Sequence, residues 1–303
     1  MIKIVNPVHA ELLSIGEVLI DFIATQENLE RFQRFFGGSP ANLAINLTKM
    51  GHKTVFAGCT GKDFLGKYVY DTFKNFNVDT TLLSELKSKS TSLIVINEFQ
   101  DPPKPIFYKN ADIEYEFNEL LEATIEKVKI VHTTAHALSF EPLRTTVITA
   151  VKIAAENNKI VTFDPNYRKQ INPFDPSYLA VVLDLLKYVD YIKPSLDDAQ
   201  EIFQINSLNP EEIIKLFKNN GIKQSVILTC GNKGVYYIDE SKNIKFEPAV
   251  KIPTKEVIGL TGAGDAFFAG FISSLLKEKP LNASIQNGIR IASGKIKYKG
   301  TII

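Results

Sequence analysis

The stretch Thr261-Gly262-Ala263-Gly264-Asp265-Ala266-Phe267-Phe268-Ala269-Gly270-Phe271-Ile272-Ser273-Ser274-Leu275-Leu276 sets the reading of the whole chain. Phe267, Phe271 and Leu275 form one apolar stripe at helical spacing, with Phe268, Ile272 and Leu276 beside it. A helix over Ala266–Leu276 this apolar belongs against a sheet rather than in solvent. Glycines on either side of Ala263 let the backbone bare successive N–H groups at the helix start, which is a ready anion site for a phosphate oxygen. Asp265 would repel such a phosphate but is well placed to take a proton from a hydroxyl attacking it. The plainer alternative is that Asp265 favours the positive end of its helix and the glycines make a tight turn.

Working outward, short apolar runs alternate with amphipathic stretches, the pattern of βαβ units and a parallel sheet. The clearest runs are Leu12–Ile15, Ile130–His132, Ile160–Phe163, Tyr191–Ile192 and Val226–Leu228. Between them, Ser39 reads as a helix cap with Pro40 at the first helical position, Leu43, Leu47 and Met50 on one face, and Gly51 as the stop. A second helix follows Glu141–Pro142, carries Leu143, Val147, Val151 and Ala154, and ends at Asn157–Asn158. Leu19–Ala24 with Arg31–Phe36, and Ser92–Glu98 with Pro105–Lys109, read as strand pairs, with Asp101-Pro102-Pro103 turning the second. Ribbons of this kind are marginal alone. They are expected to form a small second sheet, a lid spanning about 19–36 and 91–110 or a dimer contact.

Four polar segments follow directly after expected strands, and in open α/β sheets ligands bind outside the carboxyl ends of the strands. They are Asp164-Pro165-Asn166-Tyr167-Arg168, Lys193-Pro194-Ser195-Leu196-Asp197-Asp198, Thr229-Cys230-Gly231-Asn232-Lys233-Gly234 and Thr261–Asp265. Any one of them could be an ordinary polar turn; four converging on one edge point to a site. Composition narrows the class. The 303 residues are 45% hydrophobic and 23% charged, and 35 basic against 34 acidic residues leave a net charge of +1, so nucleic acid and anionic membranes are not expected partners. No apolar run approaches the roughly 18–20 residues that span a bilayer, and Met1–Ala10 shows no secretory pattern, which predicts a cytoplasmic protein. Two cysteines make no disulfide framework. With no repeat and no break in composition, residues 1–303 read as a single domain.

Other templates fail. Around Gly61-Lys62 a phosphate-binding loop lacks its first glycine, replaced by Phe56, and its Ser or Thr, replaced by Asp63. The dinucleotide fingerprint meets Phe267 where its third glycine belongs. Gly37-Gly38-Ser39-Pro40-Ala41 lacks the last glycine of a nucleophile elbow, and His132 with His136 lacks the form of a metal pair. Gly37-Gly38 could bring backbone close to a substrate, with Asn42 and Asn46 on one helix face offering both donor and acceptor to a polyol. Asp21, midway in an apolar strand, reads as a buried carboxylate, structural or hydroxyl-binding. Lys109 and Arg168 could clamp a phosphate or carboxylate, or simply be solvated.

Together these segments resemble the ribokinase-like, phosphofructokinase-B type sugar kinases over nearly the full chain. The signatures are Gly37-Gly38-Ser39-Pro40-Ala41-Asn42-Leu43-Ala44 ending at Gly51, and Gly262-Ala263-Gly264-Asp265-Ala266-Phe267. Gly16-Glu17, Leu19–Phe22, Phe107-Tyr108-Lys109 and Asp164–Arg168 look most like fructokinases, with 2-keto-3-deoxygluconate kinases next. The resemblance implies a three-layer α/β fold, a mostly parallel central sheet flanked by helices, with a small β-sheet lid. It implies ATP-dependent phosphorylation of a primary hydroxyl of a small sugar. Asp265 carries over as catalytic base and Gly262, Ala263 and Gly264 as an anion hole, with Arg168 assisting. Asp21, Gly37, Gly38, Asn42, Lys109, Arg168 and Asp265 fall at sugar positions. Lys193, Ser195, Thr229, Gly231, Gly234, Gly262, Gly264 and Asn287 fall at nucleotide positions. Magnesium would arrive with ATP and meet Asp198 through water, and exposed ribbon edges suggest a homodimer through the lid.

Three departures stand out. Gly259-Leu260 replace an Asp-Thr whose aspartate helps bind a monovalent cation in many relatives, which leaves potassium activation without its usual ligand. Ser195-Leu196-Asp197-Asp198 replaces Asn-x-x-Glu with a carboxylate one methylene shorter, and the tryptophan usual after Arg168 is absent. These changes motivate an alternative from another class, a sugar or nucleotide sensor on a kinase fold that has lost turnover.

Overall fold

In a computed structural model of the chain, which describes residues 9–99, 105–167 and 176–303, the short apolar runs are strands buried on both faces. β1 (Leu12–Ile15) sends Leu13 and Ile15 into one core and Leu12 into another, because successive side chains of a strand point to opposite faces. Then follow β2 (Leu19–Ala24), β3 (Phe32–Gly37), α1 (Ser39–Lys49), β4 (Thr54–Gly61), α2 (Phe64–Asn75), β5 (Leu83–Leu86), β6 (Leu93–Ile96) and β7 (Ile106–Tyr108). The middle of the chain adds α3 (Glu119–Ile125), β8 (Ile130–Thr134), α4 (Leu143–Glu156), β9 (Ile160–Asp164), α5 (Pro176–Leu185), β10 (Tyr191–Ile192), α6 (Leu196–Phe203) and α7 (Pro210–Asn219). β11 (Ser225–Thr229), β12 (Gly234–Ile238), β13 (Ile244–Pro248), α8 (Ala263–Leu276) and α9 (Leu281–Lys295) complete it.

Nine strands form one sheet in the order β13-β12-β11-β10-β9-β8-β1-β4-β5. It is parallel from β11 to β5, and β12 and β13 run antiparallel at one edge. On one face Val147, Leu179, Ile202 and Ile213 of α4 to α7 share a core with Leu13, Val131, Val161 and Val226. On the other, Leu43 of α1, Phe268 of α8 and Ile285 of α9 pack on Leu12, Ile130 and Ile227. Helices on both faces are the reason the strands read as continuous apolar runs. The expected apolar helix lies against the sheet, with the fully buried Phe268 edge-on to His132 at 5.4 Å. His132 is thereby a core residue: its Nδ1 is 3.0 Å from Thr162 Oγ1, and burial, with Lys193 nearby, pulls its pKa down to about 3. No cluster able to hold a metal occurs among the described residues. Nor is any described helix long and apolar enough to cross a membrane.

Both ribbons form, with shorter second members: Ser92–Glu98 narrows to β6 and Pro105–Lys109 to β7. They join through a parallel β2–β6 ladder that places Asp21 opposite Ile94, giving one four-stranded sheet in the order β3-β2-β6-β7. Its inner side is anchored by Ile20 and Phe36 in a cluster with Ala44, Phe56, Val69 and Phe73, the rings of Phe36 and Phe73 meeting edge-on at 5.2 Å. The expected Asp101-Pro102-Pro103 turn and Arg168 lie outside the described residues.

Candidate active site

Two glycines with positive φ launch the two helices that meet at the site. Gly38, at φ 99°, carries the chain from β3 into α1, and a Cβ there would stand 2.5 Å from the Glu17 carbonyl oxygen. Gly262, at φ 80°, caps α8, and a Cβ there would stand 2.7 Å from Thr301 Cα. Only glycine takes such conformations without strain. α8 consequently starts at Ala263, three residues earlier than the apolar stripe predicts, and Asp265 becomes its third residue. The Ala263 amide donates to the Leu260 carbonyl at 3.1 Å, closing the turn. The amide of Gly264, exposed at the second helical position, comes too early to reach an i−4 carbonyl.

Asp265 is held by the helix that faces it. Its Oδ1 accepts from Ser39 Oγ at 2.6 Å and its Oδ2 from Asn42 Nδ2 at 3.0 Å, both donors from the first turn of α1. Ser39 is thus not the cap its position predicts: α1 is capped by Gly38 without a side-chain bond, and the hydroxyl serves Asp265 instead. Asn42 Oδ1 in turn lies 2.9 Å from the Thr301 hydroxyl, so the segment near residue 301 braces the site from behind. Both of these donors are neutral groups, and an ionised carboxylate offers them only acceptors.

Around it the charges are concentrated. Asp21, on β2 of the small sheet beside Gly37, is buried, and that burial together with the Asp265 charge raises its pKa to about 7. At the ends of β9 and β10, Lys193 Nζ pairs with Asp164 Oδ2 at 2.9 Å, both side chains buried. Burial alone would discharge this ammonium, but Asp164, Asp198 and Asp265 outweigh it and the net shift favours the charged form. A Cβ built on Gly264 would lie 3.2 Å from Lys193 Nζ, so the ammonium stands against the N-terminus of α8. Asp198 Oδ1 accepts from the Tyr167 amide at 2.7 Å, and its Oδ2 takes the Ser195 amide and hydroxyl at 2.8 and 2.7 Å in a capping box. Asp164 Oδ1 is buried with no hydrogen-bond partner among the described residues, an acceptor that suits the hydration shell of a magnesium ion arriving on a nucleotide.

The other expected residues lie at varying distance from this centre. Thr229 and Gly231 stand at the end of β11, where Thr229 bridges to Ser195. Gly234 is required by the sheet itself, since a Cβ there would meet the Glu247 carbonyl oxygen at 2.2 Å. Asn287 donates to the Gly270 carbonyl at 2.7 Å and accepts from Arg290, linking α9 to α8. Lys109 Nζ lies 3.8 Å from the Phe140 ring centroid, buried and without a hydrogen-bond partner among the described residues; burial lowers its pKa to about 8, against the fields of Asp112 and Glu17. Glu17 went unread in the sequence as a polar group of the site. Its Oε1 accepts from the Ser39 amide at 3.2 Å and its Oε2 from Thr134 at 2.9 Å.

Comparison with known proteins places this arrangement. Residues 9–303 match the pfkB family of carbohydrate kinases. The chain is 33% identical over 297 residues to the ATP-dependent 6-phosphofructokinase of Thermoanaerobacterium thermosaccharolyticum, covering 97% of this chain and 90% of that one. It is 29% identical over 292 residues to a 5-dehydro-2-deoxygluconokinase of Clostridium botulinum, covering 92% and 84%. The solved structure of Halothermothrix orenii fructokinase superposes with a TM-score of 0.82 at 33% identity, over 93% of this chain and 98% of that one. The ribokinase-like fold expected from the motifs is the one observed, and the chain belongs to the pfkB carbohydrate kinase family, a sugar kinase by fold and by kinship.

Proposed function

We propose that this sugar kinase transfers the terminal phosphoryl group of ATP to a primary hydroxyl of a small sugar, with fructose the favoured acceptor and Asp265 the general base. One observation carries the reading: a carboxylate fixed by Ser39 and Asn42 stands at the start of α8, with the Gly264 amide and Lys193 beside it. Bound MgATP supplies the phosphoryl group, and its magnesium neutralises part of the phosphate charge. Asp265 accepts the proton of the attacking hydroxyl. The Gly264 amide and the Lys193 ammonium face the negative charge that develops on the transferred group. Asp164 Oδ1 and Asp198 would hold the metal through its waters, and Asp21 and Asn42 orient the sugar.

A second acceptor class has its own support. The Lys109 Nζ is buried without a hydrogen-bond partner among the described residues, as a carboxylate-bearing acceptor such as 2-keto-3-deoxygluconate would need. ADP-release assays on fructose, fructose 6-phosphate, 2-keto-3-deoxygluconate and ribose separate the classes. Asp265→Asn should lower turnover by about two to four orders of magnitude; a loss below about tenfold removes the base assignment. Binding of sugar and ATP with no ADP release from any acceptor would favour the sensor reading. We also infer a homodimer through the lid, whose outer strands expose Phe32, Ile106 and Tyr108. A monomer mass by light scattering would refute it.

A further inference from the structure

Lys295 ends α9 with 1% of its surface exposed. A lysine in the last turn of a helix ordinarily extends its ammonium into water. This one turns inward to two main-chain carbonyls, those of Gly259 and Tyr298, each 3.4 Å from Nζ. It has no carboxylate ion-pair partner among the described residues. Neutral dipoles are its nearest company; burial lowers its pKa, and the longer-range fields of Asp265 and Glu98 offset that only in part.

The place matters more than the burial. Gly259 belongs to the turn that leads into α8, and the amides of Ile258 and Gly259 both donate to the Ile296 carbonyl, at 2.9 and 3.2 Å. The turn is therefore tied to the end of α9, with the ammonium inside the tie. Two steps further, the turn delivers Thr261 and Gly262 to the start of α8, whose first amides face the site. Carbonyl oxygens converging on one buried positive charge are the coordination chemistry of a dehydrated alkali ion.

We propose that Lys295 is a tethered substitute for a dissociable monovalent cation: its ammonium fixes the turn at Ile258–Thr261 behind the N-terminus of α8, so the enzyme works without added potassium. Lys295 is a positioning residue, acting through the turn on the amides and Asp265. The inference rests on the kinase reading of the same site.

The test compares wild type, Lys295→Ala and Lys295→Met in choline, potassium, ammonium and methylammonium chlorides. MgATP binding is followed by calorimetry, turnover by ADP release and folding by thermal melting. Wild-type turnover should vary by less than about twofold between salts. Lys295→Ala should fall by about tenfold or more in choline, as misplacement of a catalytic group by a fraction of an ångström does. It should recover most of that loss in potassium, ammonium or methylammonium, whereas Lys295→Met, which fills the space without charge, should not. Rescue by a small cation is a readout that a merely structural lysine would not give. Three outcomes overturn the proposal: wild type stimulated more than about threefold by potassium over choline, Lys295→Ala with undiminished turnover, or a loss that no cation relieves. If the variants fail to fold, the salt series on wild type still decides, flat for the proposal and stimulated against it. Absence of MgATP binding by wild type would instead overturn the kinase reading.

Discussion

Ser39 donates its hydroxyl hydrogen to Asp265 Oδ1 across 2.6 Å, so the first turns of α1 and α8 meet on one carboxylate although 226 residues separate the pair in sequence. A hydrogen bond to a charged group contributes about 1.5–3 kcal/mol. Ser39→Ala should therefore lower kcat by about one to two orders of magnitude with little change in the KM for ATP, and Ser39→Thr should restore most of it. Steady-state kinetics check this; unchanged kcat in Ser39→Ala would show that Asn42 alone positions the acid.

Asp21 ties stability to pH. Its folded-state pKa of about 7, raised by burial and then by Asp265, stands above the ordinary 3.8. Between those values the folded chain holds a proton that the unfolded chain has lost, so stability falls as pH rises through that window, by on the order of 4 kcal/mol in all. Asp21→Asn removes the titration. The variant should melt higher than wild type at pH 8 and by a smaller margin at pH 5, while its KM for the sugar rises. Equal margins at the two pH values would show that Asp21 does not titrate there.

Gly264→Ala separates folding from chemistry. Alanine favours an α-helix over glycine by about 1 kcal/mol, so the melting temperature should hold or rise. The new methyl would press on Lys193 Nζ at 3.2 Å and cover the amide edge of α8, and kcat should drop by about tenfold or more. Full activity with raised stability would place the phosphoryl group elsewhere.

Lys109 reports the acceptor's charge. Lys109→Met should raise the KM of a carboxylate-bearing acceptor by about a hundredfold and that of fructose far less. Because burial holds the Lys109 pKa down to about 8, raising pH from 7 to 9 discharges it, and an anionic acceptor should bind more weakly over that range. Parallel KM profiles for fructose and 2-keto-3-deoxygluconate across pH 7–9 would exclude Lys109 as the discriminating group.

Much of this was legible from residue order because it is local. The Gly-Ala-Gly-Asp turn, the apolar stripe behind it and the polar segments after each strand are set by neighbours in the chain, and the structure has them at one sheet edge. What escaped depends on distance. Ser39 has the residue type and position of a helix cap, and only the fold shows its hydroxyl turned to a residue near the other end of the chain. Lys295 looks like an ordinary helix-end cation until the turn at Gly259 is seen wrapped over it. β13 went unread because an edge strand, mostly exposed, lacks the continuous apolar run that marks the interior ones.

The β2–β6 ladder has a consequence for anyone who would exchange parts between such enzymes. Its two strands are separated in the chain by β3, α1, β4, α2 and β5, so the four-stranded sheet is no cassette that one insertion could carry. A graft that moves only one hairpin must re-form parallel pairing with a foreign partner, and a chimera built that way would arrive with the small sheet unjoined. Exchanging that sheet means transplanting both hairpins together.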